Sequence, residues 1–142
     1  MNPEKRRKFE KKVISIIINN YYDNKIKEYS KKASNKRQIA NKERTETVVN
    51  TDYDNFTDII KSLNGEREEL LQYALNRTEN CRHMETKTFC HNCKTPCYSK
   101  NMMEKITHIM KSEGKKMLLK HPLTAVEQAY YVMRSKRNGN VV

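Results

Sequence analysis

Tryptophan is absent from this chain, and glycine and proline occur only three times each in 142 residues. A β-sandwich or barrel needs turn residues at short intervals. Their scarcity, beside abundant Lys, Glu, Asn, Met and Leu, points instead to an all-α fold. Long apolar runs are missing too. The strongest, residues 13–18, is far too short to cross a bilayer, and the charged residues 1–12 do not have the character of a secretion leader. The protein is therefore expected in the cytoplasm with no membrane partner. Catalytic signatures are equally lacking: there is no His-Glu-x-x-His, no Walker-type loop around Gly114-Lys115-Lys116, and no serine, histidine and acid at a telling spacing. Nothing here supports an enzyme.

Acidic residues are the minority among the charges, 17 against 29 Lys and Arg, for a formal net charge of +12. Such an excess attracts polyanions by releasing their counterions without selecting any base sequence. Nonspecific nucleic-acid binding through the basic surface thus stands beside the plainer reading of a solvated, lysine-rich exterior. With only 36% hydrophobic residues, part of the chain is expected to stay out of the core.

What apolar pattern there is has helical spacing. In an N-terminal segment, residues 1–29, Phe9, Val13, Ile16, Ile17 and Tyr21 recur along one stripe that Ile14, Ile18 and Tyr22 widen. Residues 30–55 read as a polar, mobile insert with too few aliphatic side chains to offset its ordering entropy. A helical core is expected over 56–137. Its first helix carries Phe56, Ile59, Ile60 and Leu63 and stops at Asn64-Gly65, and a second from about Glu66 carries Leu70, Leu71, Ala74 and Leu75. A third, capped by Ser99 and stapled by Tyr98 and Met103, carries Met102, Ile106, Met110 and, just past its expected stop at Gly114, Met117 as adaptable core packing, with Met103 and Ile109 beside them. A last helix opened by Pro122 shows Leu123, Val126, Tyr130 and Met133, ahead of a tail over 138–142. The expectation is one small all-α domain of four to five helices around a cysteine-rich loop.

That loop, CRHMETKTFCHNCKTPCY over 81–98, holds every cysteine in the chain: Cys81, Cys90, Cys93 and Cys97, spaced C-x8-C-x2-C-x3-C. Two disulfides are not expected in a reducing compartment, whereas four soft thiolates this close suit one shared metal, with Cys90-His91-Asn92-Cys93 as the knuckle. Zinc is the expected ion, a structural four-cysteine site. An iron-sulfur cluster would use the same four ligands, and the spacing leaves both open. His83 and His91 could replace a cysteine ligand but read as neighbours of a site that four sulfurs already fill, His108 as a surface or boundary residue, and His121 as a residue that caps the last helix or faces the cluster.

Taken in order, LLQYALNR before Cys81, KTFCHNCKTPCY, the methionine-bearing helix after it and MLLKHPLTA over 117–125 make the chain resemble the nitrous oxide-stimulated promoter family of small bacterial proteins. The resemblance implies a cysteine-centred, non-enzymatic protein linked with nitrosative stress. Where that family carries a further C-x2-C, this chain has Asn64 and Arg67; where it often has a first-helix cysteine, this chain has Tyr22; and Pro96 replaces a histidine. Only the block from Cys81 to Cys97 remains, so the resemblance implies one metal centre here. The alternative from composition is a zinc-stabilised basic nucleic-acid-binding module.

Overall fold

The computed structural model describes residues 3–43, 49–84, 93, 95–120, 122–123, 126–127, 129–130 and 133. Among them no strand occurs, and the all-α expectation holds. Three helices are built: α1 (Pro3–Glu43), α2 (Val49–Glu79) and α3 (Lys100–Lys120).

α1 lies at the centre because its apolar stripe is wide enough to serve two neighbours. Phe9, Val13, Ile14, Ile17, Ile18 and Tyr22 are all buried, and they pack with Leu63, Leu70 and Ala74 of α2 and with Ile106 and Ile109 of α3. The buried line differs in detail from the expected one, since Ile16 and Tyr21 are only half-buried while Ile14 and Ile18 are sealed. Met102, Met103 and Met110 pack on the edge of the same core, as gap-filling thioethers do.

Charged pairs across the helices give their directions. Lys11 pairs with Glu79, and Asp23 pairs with Arg67 at 3.1 Å. Advancing along α1 thus retreats by the same number of residues along α2, the register of an antiparallel hairpin. α3 runs the other way relative to α2. Its His108 meets Tyr21 edge-on at 6.0 Å, and further along Glu113 accepts a hydrogen bond from Asn24 at 3.3 Å. At 1.5 Å per residue, the 41-residue α1 is about 60 Å long, roughly twice the 21-residue α3. The hairpin therefore projects past the last residues of α3.

Several expected boundaries move. Residues 30–43 continue α1, and residues 49–55 open α2; residues 44–48 lie outside the described residues. A segment too polar to form a core can still be a good helix, because Lys, Arg, Ala and Gln favour the helical backbone. A local ion pair adds to this, Glu28 with Lys32 at 2.8 Å, and the Ser30 and Ser34 hydroxyls are satisfied within the helix on the carbonyls of Ile26 and Ser30 at 2.8 and 2.9 Å. α2 also runs straight through Asn64-Gly65, and α3 straight through Gly114. A glycine costs an exposed helix only about 1 kcal/mol, less than the packing of Leu63 and Leu70 on either side of Gly65 returns. The two short helices expected before Cys81 are thus a single one.

The last expected helix departs from its role. Pro122, Leu123, Val126, Glu127, Ala129, Tyr130 and Met133 have helical backbone, yet Leu123, Val126, Tyr130 and Met133 are exposed instead of closing the core. Their expected burial is corrected: α1, α2 and the first half of α3 already satisfy one another. The tail over 138–142 lies outside the described residues.

Candidate cysteine-loop site

The connection from α2 to α3 carries all the cysteines, and both of its ends are held. At the exit from α2, Asn80 turns back: its backbone N–H donates to the Asn76 carbonyl at 3.1 Å, and its side-chain amide donates to that carbonyl at 3.0 Å and to Asn76 Oδ1 at 2.8 Å. The Cys81 N–H then reaches the Thr78 carbonyl at 3.4 Å. Carbonyls left over at a helix end are satisfied in this way. Beyond Cys81, Met84 is buried and anchors the outgoing chain.

At the entry to α3, the Ser99 carbonyl accepts from the Met103 N–H at 2.8 Å, the geometry expected of the residue that caps the helix. Tyr98 is buried in the common core, and Met103 packs against the same core. A residue that sequence reasoning missed ties the two ends together. Tyr73 of α2 accepts the Ser99 N–H on its phenol oxygen at 2.9 Å, and its ring meets Tyr98 edge-on at 5.4 Å. Arg77 lies over the Tyr73 ring at 5.0 Å. The Ser99 amide, followed by Arg77, holds the Tyr73 phenol below its ordinary pKa. Nothing in the sequence marks Tyr73, because its partner lies 26 residues away.

Between these ends, Cys81 and Cys93 are half-buried and Cys97 is exposed, and all three are free thiols. Cys90, together with Lys87, His91 and Lys94, lies outside the described residues. Among the described residues no three His, Cys, Asp or Glu side chains gather at one point. The structure does bring His83 back to the second half of the loop. His83 Nε2 shares a 2.6 Å hydrogen bond with Thr95 Oγ1, while the Cys93 thiol donates to the Thr95 carbonyl at 3.4 Å and lies 4.0 Å from its hydroxyl. Thr95 thereby joins a histidine and a cysteine that the sequence separates, and no spacing rule would have picked it out.

Below the loop, the start of α1 supplies charge. Arg6 and Glu10 form a buried pair at 3.8 Å. The hydrogen bond from Lys11, with added attraction from Lys11 and Arg7, holds the Glu79 carboxyl below its usual range. His108 stays on the surface, as expected, and His121 lies outside the described residues. No helix among the described residues is long and apolar enough to cross a membrane.

These features define a class: a helical protein in which an antiparallel hairpin and a third helix carry between them a loop of free thiols. The chain belongs to the nitrous oxide-stimulated promoter family, whose pattern matches residues 5–140. It is similar to YgbA of Escherichia coli (strain K12), itself uncharacterized, with 36% identity over 59 residues, which is 42% of this chain and 50% of that protein. The match thus spans about half the length of that relative. No solved structure matches the chain.

Proposed function

We propose that this is a non-enzymatic metal-binding protein, linked through its family with the nitrosative stress response, in which Cys81, Cys90, Cys93 and Cys97 hold one zinc ion. The observation that carries this reading is the placement of Cys81, Cys93 and Cys97 as free thiols on one connection, tied at both ends by Tyr73 and Ser99. The donor set suits the ion: thiolates are soft ligands, and thiols that are half-buried or exposed are within reach of an ion arriving from solvent. When bound, zinc supplies a closed tetrahedral cross-link, while an iron-sulfur cluster would draw on the same four sulfurs. The chain's own contribution is to hold the loop ends. The Thr95 hydroxyl and His83 stand beside Cys93, where an outer hydrogen bond can orient a ligand sulfur.

Anaerobic purification followed by elemental analysis and a visible absorption spectrum tests the reading. One zinc per chain and a colourless solution are expected. Brown protein containing iron and labile sulfide replaces zinc by a cluster at the same residues. Folded, metal-free protein with four titratable thiols overturns both. The basic-module alternative is separated by salt: affinity for DNA or RNA that falls steeply as ionic strength rises supports it, and no binding even at low ionic strength removes it.

A further inference from the structure

The formal charge of +12 is not spread evenly over the fold. α1 carries 13 Lys and Arg against five Asp and Glu, and α3 six against two, whereas α2 carries three against seven. The hairpin thus sets a basic helix against an acidic one, and the positive excess lies on α1 and α3. These two run parallel, and the hydrogen bond from Asn24 to Glu113 fixes their offset at 89 residues. By that offset Lys25, Lys27, Lys31 and Lys32 of α1 stand level with Lys115, Lys116 and Lys120 of α3.

The carboxylates nearest to them on these helices are already engaged. Glu28 pairs with Lys32 at 2.8 Å, and buried Glu113 takes Asn24 on one oxygen and Lys116, at 2.7 Å, on the other. In the register of the hairpin α2 brings Asp58 and Lys61 to this level, and their charges cancel. Lys27, Lys31, Lys115 and Lys120 are exposed and form no ion pair among the described residues. Each pair spans less than about 10 Å of helix axis. Ammonium groups so close repel one another, and a ligand with closely spaced negative charges relieves that repulsion.

The surroundings of the lysines choose among polyanions. A single strand is held by open aromatic rings on which its bases stack, but Lys25 covers the Tyr21 ring at 5.1 Å and Lys32 the Tyr29 ring at 5.8 Å. A bilayer holds a helix by an apolar face, while Tyr29 and Leu119 are the exposed large hydrophobics within these stretches of α1 and α3. Lysine meets phosphate as a point charge, and a duplex presents about one phosphate charge per 1.7 Å of its axis.

We propose that the lysine surface shared by α1 and the end of α3 binds the phosphate backbone of duplex DNA without reading its sequence. The cysteine loop enters α3 at the opposite end, so this adds a partner to the metal reading and does not depend on it.

Fluorescence anisotropy of a labelled DNA duplex with the full chain tests this. Affinity is expected to fall as salt rises, each phosphate contact adding about 0.9 to the slope of log K against log salt. Lys27→Glu combined with Lys115→Glu should weaken binding at low salt by at least about tenfold and make the slope shallower by about two. Lys5→Glu combined with Lys12→Glu removes the same charge from the other end of α1 and should weaken it by less than about threefold. All four lysines are exposed, so circular dichroism should show wild-type helicity in both proteins. Lys31→Glu with Lys120→Glu provides a second surface variant should the first lose helix. Chelation should leave the affinity unchanged, and metal-free protein that still binds the duplex keeps this proposal while the metal reading fails. No binding at low ionic strength overturns the proposal. So does equal weakening in the control pair, which assigns the effect to net charge alone, or tighter binding of a single strand than of the duplex. Affinity lost on chelation with the helices intact places the surface at the loop and overturns it too, as does a chain that ignores DNA and uses these lysines to co-sediment with anionic phosphatidylglycerol vesicles.

Discussion

Two tyrosines on neighbouring helices show how a phenol takes its character from its surroundings. Tyr22 is buried in the α1 core, and burial, reinforced by the nearby Glu66 carboxylate, pushes its pKa up to about 12. A raised value means that the folded state holds the proton more tightly than the unfolded chain. The stabilisation is complete below pH 10, the unperturbed value, and is lost as pH climbs toward 12. Circular dichroism should accordingly show helix loss between pH 10 and 12, and Tyr22→Phe should flatten that part of the profile. Tyr73 is the opposite case, held down because its oxygen accepts the Ser99 amide. In Tyr73→Phe the ring can still meet Tyr98 while the acceptor is gone. Urea denaturation should register a loss of about 1 kcal/mol.

The helices are longer than their punctuation suggests. Gly114 sits inside α3, and a methyl group added there would meet no heavy atom within 4 Å beyond its chain neighbours and the backbone of its own helix. Gly114→Ala should therefore stabilise the protein by about 0.5–1 kcal/mol, seen as a shift of the denaturation midpoint at constant slope. The same substitution would destabilise the chain if Gly114 ended the helix in a left-handed conformation, as its sequence neighbourhood suggests. This difference explains why helix existence was legible and helix ends were not. Periodicity belongs to each segment alone, so Phe9, Val13, Ile17, Ile106 and Ile109 announce their helices without outside help. Whether Asn64-Gly65 stops a helix depends on whether packing beyond the glycine outweighs its small cost, and that packing, by Leu70 and Ala74, comes from α1. The cysteine block was legible as a run of thiols on one connection, since that is a property of the sequence alone. Tyr73 and Thr95 were not, because a phenol and a hydroxyl gain their roles only from partners that tertiary contact delivers.

For the molecule as a whole, the loop contributes Tyr98 to a core that is otherwise built by α1, α2 and α3. α1, α2 and α3 bury their own apolar line, and Tyr73 already joins α2 to the start of α3. A metal bound by Cys81, Cys90, Cys93 and Cys97 should therefore add stability to a folded protein, unlike the ion of a zinc finger, which supplies the fold itself. Chelation should lower the thermal midpoint by about 5 °C while leaving the helical dichroism at room temperature in place. Complete loss of helix on chelation would mean that the three-helix core does not stand alone.

The residues in order, with few glycines and prolines and isoleucines at helical spacing, were enough for the helical class, because it depends on neighbours along the chain. The pairing of α1 with both other helices, the continuity of α2 and α3 through their glycines, the clamp of Tyr73 on Ser99 and the exposure of Leu123, Val126, Tyr130 and Met133 needed the assembled molecule. Each depends on which surfaces are already covered, and burial is a property of the assembled helices that no single segment carries.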